Sequence, residues 1–204
     1  KFEERLAKEF EAVGFFISDH PLNQFSEIFS DYKIIDYTKF ILDDKIKNSN
    51  IAATLLKIQE KKTAKGNSYA VLKLTDLLSV FEIFIFSEVL ELNREILKEG
   101  NSLILTLVKN ITNDENRFKR INVQKIASLK QLFNSPINEV FFNVSTKNQV
   151  ESISKILEDN GKTLVNINLV TGDNILQFKL KNPKNLDRKV LNLLRKQQIQ
   201  ATIS

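Results

Sequence analysis

Two aromatic side chains, Tyr69 and Phe84, and the cations around them are the residues of this chain whose types and spacing point to chemistry. The cations fall into two groups: Lys57, Lys61, Lys62, Lys65 and Lys73 along one hairpin, and Arg117, Lys119 and Arg120 on a separate loop. A solvent-facing ring stacks a flat heteroaromatic ligand for roughly 1–3 kcal/mol, whatever that ligand's identity. Ammonium and guanidinium groups beside such rings neutralise phosphates and release their counterions. The chemistry implied is noncovalent recognition of a polymer that carries bases and phosphates. Against it stand two plainer readings: a face covered by other parts of the chain for the rings, and solubility for the lysines.

Nothing else in the chain asks for catalysis. With no Cys and a single His, there are no disulfides, no thiolate metal sites, no imidazole clusters and none of the usual His-dependent triads. The glycines Gly14, Gly66, Gly100, Gly161 and Gly172 stand alone, so no phosphate-cradling glycine loop exists. The acidic pairs Asp43-Asp44, Asp114-Glu115 and Glu158-Asp159 fall in connectors or at helix ends, where a solvated surface is the simpler reading. His20 precedes Pro21 and reads as a turn residue.

The chain has 204 residues, 42% of them hydrophobic and 27% charged, which is globular composition. Its net charge of +5 divides unevenly: residues 1–50 carry −3, while 51–135 and 136–204 carry +4 each. That surplus is small for an electrostatic binder. Met is absent, residue 1 included, which suggests a piece of a longer polypeptide. The longest apolar runs, such as 103–108, are too short to span a bilayer, and no signal peptide opens the chain. A soluble, monomeric piece is expected, since nothing resembles a coiled-coil seam.

The elements that must position the aromatic and basic residues follow from periodicity. Phe2, Leu6, Phe10, Val13 and Phe16 have helical spacing, Pro21 breaks that helix, 23–29 allows another turn or two, and the polar stretch 37–50 reads as a connector. Residues 51–60, 68–75 and 80–86 read as strands, with Tyr69, Val71 and Lys73 on the outer face of the second and Glu82, Phe84 and Phe86 outward on the third. A helix over 87–97 and strands over 103–111 and 118–126 complete the set. Five strands with one helix between the third and fourth predict an oligonucleotide-binding (OB) barrel over 51–133, preceded by a helical connector over 1–50. After Pro136 the pattern restarts as strand 140–144, helix 147–160, strands 164–170 and 175–180, and helix 187–197: a small α+β domain over 137–204.

Two runs carry a family resemblance. Glu11 to Leu22, with Gly14-Phe15-Phe16 and Ser18-Asp19-His20-Pro21-Leu22, and Lys62 to Asp76 followed by Phe81 to Phe86, resemble the C-terminal region of the α subunit of bacterial DNA polymerase III. The resemblance covers residues 11–126; beyond it only the order of strands and helices matches. Asp19 stands where the family usually has Gly, Ser79 replaces a turn Gly, and Val71 stands where Phe is frequent, which leaves Tyr69 and Phe84 as the stacking candidates.

The resemblance implies a parent DNA-directed DNA polymerase of the bacterial cytoplasm whose Mg²⁺-binding aspartates lie upstream, so that this stretch holds no active site and no cofactor. It implies that the barrel guides single-stranded template and that 137–204 docks the clamp-loader τ subunit. The sliding clamp would be bound by a motif upstream. Gln131-Leu132-Phe133 is only faintly like such a motif and reads as core or linker. A barrel used chiefly for protein docking is the alternative.

Overall fold

The computed structural model describes residues 2–14, 16–64, 66–111, 119–171 and 174–203. The chain is mostly β, with a few helices and two sheets of five strands each. It divides into two compact units, Lys1–Asn134 and Ser135–Ser204.

The first unit opens with α1 (Phe2–Val13) and a 3₁₀ helix over Pro21–Ile28. His20 caps the latter: its Nδ1 accepts from the Leu22 N–H at 3.2 Å, and Pro21 occupies the first helical position, where no donor is needed. Residues 37–50 are more than the expected connector, because α2 (Tyr37–Leu42) drops Phe40 fully into the core. Five strands follow: β1 (Asn48–Lys62), β2 (Ser68–Thr75), β3 (Val80–Phe86), β4 (Ser102–Ile111) and β5 (Lys119–Ser128). The helix α3 (Ser87–Asn93) lies between β3 and β4, and α4 (Leu129–Asn134) follows β5. Ser87 begins α3 rather than capping it, and the helix ends four residues earlier than expected.

All neighbours in this sheet are antiparallel, in the order β3-β2-β1-β4-β5. Among the described residues no ladder joins β3 to β5, so the sheet is open there, although the two strands approach each other. Residues 51–56 are buried on both faces of β1, which explains why their alternation is loose in the sequence. Ile51, Ala53 and Leu55 pack into the main core with Leu72, Leu74, Ile85 and Leu105. Ala52 faces the other way, onto Leu22, Phe25, Ile28 and Leu129. The 3₁₀ helix and α4 therefore cover one outer face of β1 and β4, and Gln131, Leu132 and Phe133 lie within α4, with the Phe133 ring edge-on to Phe25 at 5.7 Å.

A bulge at Leu56 shifts the β1–β2 register between Leu55 and Lys57, so Lys57 faces outward after a run of buried residues. The β2–β3 turn is fixed by the buried Asp76, whose Oδ1 accepts from the N–H groups of Leu78 and Ser79 and from the Ser79 hydroxyl. Its Oδ2 accepts from the Tyr37 N–H at 2.8 Å, tying α2 to the same turn. Here a carboxylate and a serine do the work for which a glycine is usual.

The second unit comprises β6 (Glu139–Val144), α5 (Lys147–Ile156), β7 (Glu158–Thr171), β8 (Asn174–Lys179), β9 (Lys184–Asn185), α6 (Arg188–Lys196) and β10 (Gln200–Ile203). Four strands run in the order β10-β6-β7-β8, β6 and β7 being parallel, and β9 pairs with β7. The expected helix to Asn160 ends instead at Ile156, and Glu158 and Asp159 open the long strand β7 rather than close a helix. Gly161 is not a helix stop. It lies where β7 passes β9, and a methyl group there would overlap the Lys184 carbonyl.

No helix among the described residues is long and apolar enough to cross a membrane.

Candidate nucleic-acid interface

Register alone places the candidate residues. Across β1, β2 and β3 the ladders align Lys57 with Lys73 and Lys73 with Glu82, then Gln59 with Val71 and Val71 with Phe84, then Lys61 with Tyr69 and Tyr69 with Phe86. Since Ala70, Leu72, Leu74, Ile83 and Ile85 point into the core, these nine positions form a three-by-three outer surface. One end of it is basic with a single carboxylate, and the other is aromatic. Phe84 and Phe86 are 56% and 53% exposed, so neither ring is covered. The Tyr69 and Phe84 rings lie 6.5 Å apart, tilted by 32°.

Two recesses open on this surface. The first, of about 290 Å³, is lined by Lys57, Gln59, Lys61, Val71, Lys73, Glu82 and Phe84. It gathers three of the five hairpin lysines beside one of the rings. The second, of about 350 Å³, lies in the gap between β3 and β5, with Phe84, Phe86, Arg120 and Asn122 on its wall. There the Arg120 guanidinium carbon is 5.9 Å from the centre of the Phe86 ring, within reach of a cation–π contact.

Not every candidate joins them. Lys62, opposite Ser68, is exposed but projects from the other face of the hairpin, in register with Glu60 and Ile58. Glu60 is held there by Arg94, which also binds Glu91, at 2.6 and 2.8 Å, and these two carboxylates raise the arginine's affinity for its proton. Lys119 begins β5 opposite Ile111, and its side chain lies outside those described. Lys65 and Arg117 lie outside the described residues. Phe86, Glu82, Gln59 and Asn122 complete the surface without having been singled out from the sequence. For Phe86 and Glu82 the signal was there, since strict alternation puts both on the face of Phe84.

Among the described residues no group of three or more His, Asp or Glu is placed to hold a metal ion. The unit is thus a small antiparallel β fold with a solvent-open surface of rings and cations.

No family model matches the chain. Comparison with known proteins finds similarity to the DNA polymerase III subunit alpha of several bacteria. The protein of Rickettsia conorii is 31% identical over 156 residues, covering 73% of this chain and 12% of that protein. That of Borreliella burgdorferi is 26% identical over 211 aligned residues, covering 96% of this chain and 18% of that protein. That of Aquifex aeolicus is 23% identical, covering 97% of this chain and 18% of its own length. The resemblance carried by Glu11–Leu22 and Lys62–Phe86 is borne out: this chain is a relative of the DNA polymerase III α subunits and spans less than a fifth of the length of these relatives.

Proposed function

We propose that the chain is a non-catalytic segment of a DNA polymerase III α subunit, a cytoplasmic DNA-directed DNA polymerase of chromosomal replication, and that its first unit holds single-stranded template. The observation that carries this reading is the outer surface of β1, β2 and β3, where Lys57, Lys61 and Lys73 sit in register beside Tyr69, Phe84 and Phe86. Rings that stack bases without regard to identity, next to ammonium groups spaced along strands, suit a single strand, in which bases and phosphates are both accessible. The strand order β3-β2-β1-β4-β5, with α3 between β3 and β4, supports an OB-type barrel, of which β3 and β5 would be the lips.

The second unit, residues 137–204 in this reading, docks the clamp-loader τ subunit, and the sliding clamp is bound from outside this chain. The parent enzyme uses Mg²⁺ at aspartates that this stretch does not contain, and the segment itself is monomeric. The test is fluorescence anisotropy of a labelled oligothymidylate titrated with the chain at two salt concentrations, beside a duplex of equal length. Tighter, salt-sensitive binding of the single strand is the expected result. Absence of binding at low salt would move the function of the aromatic surface to protein docking.

A further inference from the structure

We propose that the recess between β3 and β5 is a pocket for one nucleobase and selects guanine. This rests on the reading of the surface as a single-strand site and adds to it a base preference. The two recesses differ in kind. The one over β1 and β2 presents three ammonium groups, which suits phosphates. The one in the gap, about 350 Å³, is lined by Phe84, Phe86, Arg120, Glu82 and Asn122 together with Ile83 and Ile121. This lies at the small end of the ~300–1,000 Å³ range of ligand pockets. The Ile83 side chain is buried in the core, and that of Ile121 is partly buried against it.

A flat ring entering the gap meets aromatic faces on β3 and the Arg120 guanidinium already positioned over Phe86, both of which hold a π system by stacking. Phosphate is drawn to the first recess rather than to the gap, because three ammonium groups outweigh Glu82 there, whereas in the gap the same Glu82 offsets the single cation, Arg120. The strand's backbone is thereby kept to the lysine side and its base is turned toward the gap. Phe84 lines both recesses and so marks the boundary between the two.

Glu82 also reads the base. An ionised carboxylate only accepts hydrogen bonds, and its two oxygens suit two donors side by side. The guanine edge offers N1–H and the N2 amino group in that arrangement. Adenine and cytosine present one amino group next to an acceptor nitrogen, and thymine one N–H between two carbonyls. The Asn122 side chain, with both a donor and an acceptor, can serve the guanine O6 or a ring nitrogen.

The test compares the intact chain's affinity for an oligothymidylate with that for the same oligomer carrying one central dG, dA or dC. The dG oligomer should bind roughly three- to tenfold tighter than the all-thymine one, the effect of one partly exposed hydrogen bond. Glu82→Gln should abolish that preference and, by removing the carboxylate charge from the strand-binding surface, tighten thymidylate binding itself, and Asn122→Ala should reduce the preference. Equal binding of all four oligomers, or a dG preference unchanged in both variants, would overturn the pocket while leaving the single-strand surface intact. A chain that binds none of the four loses the single-strand reading itself, and the pocket with it.

Discussion

The ammonium of Lys109, on β4, donates to the Phe40 carbonyl at 2.6 Å and sits 5.0 Å from the centre of that residue's own ring. It also donates to the Asp43 carbonyl at 2.9 Å, and it is 2% exposed. A buried lysine thus satisfies carbonyls at the C-terminal end of α2, where a helix leaves acceptors without partners and where positive charge is favoured. Together with the Asp76–Tyr37 hydrogen bond and the buried Phe40 ring, this joins residues 37–43 to the sheet that carries the aromatic surface.

Replacement of Lys109 by Met is therefore expected to lower stability by about 2 kcal/mol, because buried carbonyls lose their donor while the aliphatic packing is kept. Urea unfolding followed by circular dichroism measures it. A variant as stable as the parent would show that water reaches those carbonyls.

Tyr69→Ala and Phe84→Ala should each weaken single-strand binding by roughly 1–3 kcal/mol with little change in salt dependence, since stacking releases no counterions. The rings are near neighbours, so the double variant should lose less than the sum of the two. Anisotropy titrations at several salt concentrations read both quantities. Unfolding of the Phe84 variant would contradict the exposure of that ring.

Charge reversal at Lys57 and Lys61 together should weaken binding and flatten its salt dependence, by about 0.7 in the logarithmic slope for each phosphate no longer neutralised. Lys62→Glu, on the opposite face of the hairpin, should do far less. Equal effects at Lys61 and Lys62 would mean that binding follows net charge rather than this surface.

Gly161→Ala should destabilise the second unit, because the added methyl overlaps main chain at Lys184 and Asn185 rather than a side chain that can move aside. A loss of about 1–3 kcal/mol is expected, by analogy with overpacked cores. Hydrogen exchange should show faster opening of β7 and β9 with the sheet of β1 to β5 unaffected.

Burial lowers the pKa of His20 below its ordinary 6.5, against the opposing pull of Asp76 and Asp19. The neutral ring is the form that accepts from Leu22, while its edge lies against Phe16 at 6.0 Å. A folded value below the unfolded one means that this contribution is complete above about pH 6.5 and is lost as pH falls through the lowered value. The urea midpoint should therefore drop between pH 7.5 and 5.5, and less so in His20→Asn, which retains an acceptor that does not titrate.

Which residues could form the aromatic surface was legible in the chain's local pattern. Period-two alternation over 68–75 and 80–86 assigns Tyr69, Lys73 and Phe84 to one face, because a side chain in a strand cannot change face without a shift of register. The family resemblance was legible too, through Glu11–Leu22 and Lys62–Phe86. The helix α2 was not, because its six residues are too few to display a helical period. The end of α5 was placed too late because an isolated glycine reads as a helix stop, whereas Gly161 meets a distant backbone. Which cations stand together depends instead on the folded chain. The bulge at Leu56 sets the register that puts Lys57 and Lys61 on the ring face and Lys62 behind it, and the approach of β3 to β5 brings Arg120 to Phe86 from 34 positions away in the chain. Both are settled by how the strands pack around a shared core, a long-range property that no local pattern of residues encodes.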